Sequence, residues 1–110
     1  MKYRNPQICS KRKFKEYLFK KEINKIAESL LAISLYSGDR VWVKKIIIQQ
    51  ISNEALTIRK ASIVALSHMI RIDKNISCSE LTKILDLIPD KDVLSGEIED
   101  LLDDWKVFNS

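Results

Sequence analysis

The sequence predicts an all-α protein of one domain, built as a stack of helical hairpins with about five helices. Its 110 residues include only two Gly and two Pro, whereas β-sandwiches and barrels use these residues in frequent turns. Apolar residues recur every three or four positions along most of the chain, which is the period of a helix face. The hydrophobic fraction of 45% is sufficient for a packed core.

The residues that build common active sites and metal cages are scarce. Cys9, Cys78 and His68 are all the cysteine and histidine present, which is too few for a zinc cage of nitrogen and sulfur ligands. We therefore expect no enzyme, no metal and no cofactor, two reduced and buried thiols, and a structural His68. No membrane span or signal-peptide pattern occurs, so we expect a cytoplasmic protein.

The N-terminal third is predicted to contain a basic arm over residues 1–12 and a long capping helix over residues 13–36. Gly and Pro are absent from the helical part, which one long helix or two in tandem would fit. Gly38 suits a left-handed cap at the end of this helix. Asp39 suits the N-cap of the next one.

Two helical hairpins are predicted to follow, over residues 39–72 and 77–108. The second predicted helix, from about Arg40, is apolar nearly all round and should be buried. The third runs from about Glu54 to Ile72. Ser77, followed three residues later by Glu80, forms a capping-box pattern that begins the fourth helix.

The fourth predicted helix ends at Pro89 and Asp90, and the fifth begins near Ser95. Core positions of the two hairpins correspond at a nearly constant shift. Val43, Ile46 and Ile47 match Leu81, Ile84 and Leu85, and Ile58, Ala65, Leu66 and Met69 match Leu94, Leu101, Leu102 and Trp105. A repeated helical hairpin of this length predicts an α-solenoid.

The third predicted helix resembles the second helix of a HEAT repeat. The matching positions are Ile58, Arg59, Ala61, Ala65, Leu66 and Met69. The second hairpin departs from the pattern, because Ser95 stands in place of the Arg and Glu97 in place of the Ala. The resemblance implies a HEAT-like α-solenoid over residues 39–108, in which the second helix of each pair lines a concave surface.

The tail is similar to small bacterial HEAT-like proteins. The resemblance lies in the pattern Val93-x-Ser95-Gly96-Glu97-Ile98-Glu99-Asp100-x-x-Asp103-Asp104. Some of those proteins are immunity proteins encoded beside secreted toxins, such as the nucleases of contact-dependent growth inhibition. The resemblance implies binding and inhibition rather than catalysis.

Charge is distributed unevenly along the chain. Residues 1–26 hold nine Lys or Arg and two Glu, whereas residues 86–110 hold eight acidic and two basic residues. At 100° per residue, five carboxylates of the fifth helix fall opposite its apolar face and form what we term the acidic face. They are Glu97, Glu99, Asp100, Asp103 and Asp104. This face is either a docking surface for a basic partner or a solvated surface that aids solubility.

Two further residues complete the predicted partner-binding set. Asp92 precedes the fifth helix, and Trp105 borders its acidic face, where it serves either as a core anchor or as an interface hot spot. A secondary candidate is the apolar strip of Leu56, Ile63 and Ile70 on the third helix. The strip is either an exposed part of the concave surface or covered by the first helix.

The N-terminal segment interleaves basic and aromatic residues. Lys11, Arg12, Lys13 and Lys15 surround Phe14 and precede Tyr17. Such a pattern can bind phosphates and stack on bases. The rings also recur at helical spacing, which indicates core packing instead.

The leading prediction is a monomeric protein-binding inhibitor, an immunity protein that blocks the active site of a basic, nuclease-type toxin. Nuclease active sites are basic because they bind phosphates, so an acidic surface complements them. On this prediction nucleic acid and membranes are not partners. The alternatives are a nucleic-acid-binding protein that uses the basic N-terminal helix, and a generic HEAT-like adaptor.

Overall fold

The computed structural model describes residues 11–74 and 76–109. This part of the chain contains six helices and no strand, so the all-α prediction is confirmed. The basic arm and Cys9 lie outside the described residues, apart from Lys11 and Arg12. The helices are α1 (Lys11–Lys20), α2 (Ile23–Tyr36), α3 (Arg40–Gln50), α4 (Leu56–Asp73), α5 (Cys78–Leu85) and α6 (Ser95–Asn109).

Of the two possibilities for the capping segment over residues 13–36, one long helix or two in tandem, the structure has two helices, which raises the count from about five to six. Lys21 interrupts it with a left-handed backbone (φ 56°). Its N–H donates to Leu18 O (3.1 Å), and the N–H of Glu22 donates to Tyr17 O (3.1 Å). These are the two hydrogen bonds of a Schellman motif, a helix end that usually has Gly where this chain has Lys21.

The junction between α2 and α3 confirms one predicted cap and corrects another. Asp39 is the N-cap of α3, because its side chain accepts a hydrogen bond from the N–H of Trp42 (3.1 Å). Gly38, however, does not have a positive φ. The α2 helix ends at Ser37 in an extended conformation, and no left-handed residue is needed there.

Arg40 joins the C-terminal ends of α2 and α4. Its guanidinium donates to Ser34 O (2.9 Å) and Ser37 O (3.1 Å), which are carbonyls at the end of α2. The same group pairs with Asp73 at 3.0 Å, in the last turn of α4. A cation thus meets unsatisfied helix carbonyls and a carboxylate at one point, as the helix dipole favours.

Three helices lie side by side and run in the same direction, with α4 in the middle. Ser34 of α2 contacts His68 of α4, and the Arg40 bridge joins the ends of the same two helices. Lys60 and Arg71 of α4 pair in the same order with Glu97 and Asp104 of α6. The helices α1 and α3 pack on α2 and α4 respectively.

The start of α5 follows the predicted cap. Ser77 is the N-cap and accepts a hydrogen bond from the N–H of Glu80 (3.1 Å). The carboxylate of Glu80 pairs with Lys44 on α3, so this interaction connects the two hairpins. Cys78, which was expected to be buried, is exposed in the first turn of α5.

Arg59 anchors the segment that precedes α6. Its side chain donates to Asn53 O (2.7 Å) before α4 and pairs with Asp90 at 2.6 Å. Arg59 is 8% exposed, so this pair is largely shielded from water. Loss of either partner would leave a poorly solvated charge, which makes the pair a strong constraint on this connection.

The core runs through all three parallel helices. All the residues that resemble the HEAT pattern are buried in α4, including the aliphatic part of the motif from Ile58 to Met69. Leu30 of α2 and Leu101 of α6 are fully buried on either side. None of the described helices is long and apolar enough to cross a membrane.

Met69→Ala is expected to lower the free energy of unfolding by about 2–5 kcal/mol, because it leaves a cavity in the core. Met69 is 1% exposed. Urea denaturation measures the change. Ile72→Ala, at a position 47% exposed on the same helix, is the control and should cost less than about 1 kcal/mol. A loss below about 0.5 kcal/mol for Met69→Ala would show that this side of α4 is not packed.

Candidate functional site

The acidic face of α6 is divided between two environments. Glu97 pairs with Lys60 (3.5 Å) and Asp104 pairs with Arg71 (3.0 Å), both on α4. The sequence predicted a face with no basic residue among its carboxylates, and α4 supplies two such residues from outside the helix. Part of the acidic face therefore holds α6 against α4.

The other three carboxylates of the acidic face are exposed. Asp100, Glu99 and Asp103 make no hydrogen bond or ion pair within the described residues. Glu99 and Asp103 lie about 160° around the helix from the fully buried Leu101, on what we term the outer edge. They are four residues apart on the helix, so their like charges repel and lower the stability of α6.

A narrow groove separates α4 from α6. Its volume is about 170 Å³. The residues that line it are Val64, Ser67, His68 and Arg71 from α4 and Glu97, Asp100 and Asp104 from α6. Three carboxylates thus share the groove with one guanidinium, and only Asp100 among them makes no ion pair within the described residues.

His68 lies at the boundary between α2 and this groove. Its Nδ1 is 2.9 Å from Ser34 Oγ, and that oxygen is also 2.8 Å from Leu31 O. Either tautomer of the neutral ring is compatible with this contact, because the Ser34 hydroxyl can donate to Leu31 O or to Nδ1. The predicted structural role fits this contact, because it ties α2 to α4.

The pKa of His68 is lowered from its ordinary value. Burial is the largest cause, the positive charge of Arg71 is the second, and the negative charge of Asp104 opposes them. The folded protein therefore disfavours the charged form of the ring.

Ser67 is the least expected member of the groove. It is 8% exposed, yet its hydroxyl makes no hydrogen bond within the described residues. Most buried hydroxyls are hydrogen-bonded, and Ser62 on the same helix bonds Ile58 O at 2.8 Å. The Ser67 hydroxyl is consequently available to a group that enters the groove.

Trp105 and Asp92, the two remaining residues of the predicted partner-binding set, lie in different surroundings. The indole N–H of Trp105 donates to Ile76 O (2.9 Å), and its ring packs against the core. This contact favours the core anchor over the interface hot spot. Asp92 is exposed in the turn before α6.

The apolar strip does not form a continuous exposed surface. Leu56 is 44% exposed, whereas Ile63 and Ile70 are fully buried. At 100° per residue, Ile63 lies about 40° from Ser67 and about 140° from His68. Ile63 therefore faces the side of α4 that α6 occupies, and not the side of the first predicted helix.

The basic N-terminal segment is partly neutralised. Lys11 pairs with Asp39, whose pKa is lowered mainly by that hydrogen bond and also by the Trp42 N–H. Phe14 is fully buried and meets the Trp42 ring edge-on, with ring centroids 6.0 Å apart. Tyr17 is partly buried against the core. The rings thus mainly serve packing, as their helical spacing indicated.

Comparison with known proteins gives no relative for this chain. No protein-family model, curated protein or solved structure matches it. Within residues 11–74 and 76–109, no group of three His, Cys, Asp or Glu is arranged to hold a metal ion. The functional proposals therefore rest on the chain's own residues and contacts.

Sequence reasoning missed the groove because it treated α4 and α6 separately. Lys60 and Arg71 could have been recognised as partners of the acidic face, since they recur along one side of α4. The hydrogen-bonding state of Ser67 has no sequence signal, because it depends on which neighbours are within reach. The link between Ser34 and His68 likewise depends on how α2 packs.

The stability of the protein is expected to fall between pH 7.5 and pH 5.5 in part through His68. Because its folded pKa is below the ordinary value near 6.5, the unfolded chain takes up the proton first as the pH falls. Chemical denaturation of the parent and of His68→Asn measures this dependence. The variant should show a smaller decrease, and an equal decrease would contradict the assignment.

The charge contributions to this pKa can be separated by NMR, because the chain has one histidine. Arg71→Gln should raise the titration midpoint of the His68 ring, since it removes a positive charge. Asp104→Asn should lower it, since it removes a negative one. Midpoints that move in the opposite directions would show that these groups do not face the ring.

Proposed function

We propose that this chain is a protein-binding inhibitor whose α6 docks on a basic protein, with the nuclease domain of a toxin as the partner class. The observation that carries the proposal is a set of three exposed carboxylates that have no ion-pair partner among the described residues: Glu99, Asp100 and Asp103. The chain as a whole has a net charge of +4, so this negative surface is opposite in sign to the net charge of the protein. Such a surface attracts cationic partners and steers their approach.

The energetics of α6 support a use beyond folding. The ion pairs to Lys60 and Arg71 offset the repulsion at Glu97 and Asp104. Nothing within the described residues offsets it at Glu99 and Asp103, where like charges four residues apart cost about 0.2–0.5 kcal/mol. A basic partner would remove this cost on binding.

We also propose a HEAT-like arrangement as the scaffold of this surface. The three parallel helices α2, α4 and α6 alternate in chain order with the shorter helices α1, α3 and α5, and α1 packs on α2 as α3 packs on α4. The acidic outer edge belongs to the last helix of this order. Stacked repeats require a polar outer surface at their ends, so α6 could serve solubility in this position as well as binding.

Asp103→Lys is expected to weaken binding of the basic partner at least tenfold while it stabilises the free protein. The substitution places Lys four residues after Glu99, which replaces a repulsive pair by an attractive one in its favoured orientation. Loss of affinity would then not reflect misfolding. The measurements are a melting curve and a calorimetric titration with a toxin-type nuclease domain, sought among the products of the genes next to that of this chain.

Glu28→Lys is the matched control for Asp103→Lys. Glu28 is exposed on α2, which lies on the other side of α4, and its reversal changes the net charge equally. It should leave affinity within about twofold, because distant exposed charges are screened. If the parent does not bind the toxin-type domain or protect cells from it, the proposed function is wrong. If Asp103→Lys binds as tightly as the parent, the outer edge is a solvated surface.

A second candidate function, nucleic-acid binding by α1, is favoured by one observation. Phe19 is 88% exposed and follows Arg12 and Lys15 at helical spacing, so the three residues lie on one face. Arg12 and Lys15 are also exposed and make no ion pair within the described residues. An exposed ring between cations can stack on a base while the cations contact phosphates.

If α1 binds single-stranded RNA, Arg12→Glu with Lys15→Glu should abolish most of the affinity. When two phosphate contacts are lost, the logarithm of the association constant should depend less steeply on the logarithm of the salt concentration, by about 1.4 in slope. Phe19→Ala should weaken binding without changing that slope. Fluorescence anisotropy with a labelled oligonucleotide measures both quantities, and Lys45→Glu with Lys83→Glu is the charge-matched control. Absence of binding by the parent at micromolar protein would eliminate this candidate.

A further inference from the structure

The groove between α4 and α6 contains hydrogen-bond acceptors to which no residue in 11–74 or 76–109 donates. We infer that this groove receives the side chain of an arginine from the basic protein partner. The inference rests on the proposed function, but the residues that it assigns to binding are not those of the outer edge. Asp100, Ser67 and His68 are the residues that would contact the guanidinium.

The charge of the groove selects a cation. Of its three carboxylates, Glu97 and Asp104 are already paired with Lys60 and Arg71, at 3.5 Å and 3.0 Å. Asp100 lies between them along α6 and lines the same groove without an ion pair within the described residues. The groove therefore retains one uncompensated negative charge, and the paired cations at its sides hold the other two carboxylates in place.

Ser67 provides a second polar group in the groove. The residue is 8% exposed and lines the groove, and its hydroxyl makes no hydrogen bond within the part of the chain that the structure describes. The hydroxyl oxygen is open to the groove rather than sealed in the core. A donor that enters the groove can therefore hydrogen-bond to it.

His68 also lines the groove. In the tautomer whose Nδ1 donates to Ser34 Oγ, Nε2 is an acceptor for an entering donor. A guanidinium would select this tautomer, because it offers donors and no acceptor.

The size and composition of the groove favour a guanidinium over other cations. The volume of about 170 Å³ is below the roughly 300–1,000 Å³ of pockets for drug-sized molecules, so it suits one side chain. Metal ions are disfavoured, because no group of three ligands within the described residues is arranged to hold one. A guanidinium has five N–H donors in a planar fork, which can serve a carboxylate and two further acceptors together.

The first experiment titrates the isotopically labelled protein with N-acetylarginine amide and follows amide and ring signals by NMR. The expected result is saturable shifts at Ser67, His68 and Asp100. N-acetylcitrulline amide has nearly the same shape without the charge and should produce no saturable shift. Equal binding of N-acetyllysine amide would overturn the assignment of a guanidinium, and shifts elsewhere or none at all would overturn the site.

Substitutions at the groove and at the outer edge separate the two surfaces. Asp100→Asn and Ser67→Ala should each weaken binding of N-acetylarginine amide, roughly tenfold or more for the carboxylate. Glu99→Gln removes the same charge from the outer edge and should change the affinity by less than twofold. Melting curves should show that all three variants fold. Equal affinity of Asp100→Asn and the parent would contradict the proposal.

The same variants distinguish failure of this inference from failure of the proposed function. If Asp103→Lys weakens the complex with the toxin-type domain but Asp100→Asn and Ser67→Ala do not, the inhibitor function stands and the arginine site is wrong. If N-acetylarginine amide occupies the groove but the toxin-type domain does not bind, the function is wrong and the groove's specificity stands.

Discussion

Helix α4 must bury apolar side chains on most of its circumference, and the positions of the other helices follow from this constraint. Leu66 and Met69 face one part of the core, and Ile63 faces the side of α6. A helix that is apolar nearly all round is stable in water only when other helices surround it. The helices α2, α3 and α6 do so, which leaves one polar strip of α4 exposed to solvent.

That polar strip determines the character of the candidate site. Lys60 and Arg71 lie along it and attract two carboxylates of α6, so packing and electrostatics favour the same placement of the last helix. The remaining carboxylates are left with two different roles. Asp100 lines the groove beside Ser67, whereas Glu99 and Asp103 lie on the outer edge, where any terminal helix of a stack needs polar residues.

The all-α class, both N-caps and the buried face of α4 were predictable, because each depends on periodicity or on local hydrogen bonding. The break at Lys21 was not, because Lys gives no signal for a left-handed residue where Gly usually stands. The five carboxylates of the acidic face were predicted as a set, but which of them form ion pairs depends on which helix lies beside α6. The exposure of Cys78 likewise depends on how α5 lies against the core, since composition alone favours burial.

The two surfaces of α6 differ in how strongly they argue for function. A polar outer edge has a sufficient explanation in solubility, so Glu99 and Asp103 support a partner only through their mutual repulsion. The groove is different. Its Ser67 hydroxyl and its Asp100 carboxylate make no hydrogen bond or ion pair within the described residues, although both lie between the two ion pairs that join α4 and α6. Retaining these acceptors has a physical reason if a cation from another molecule satisfies them.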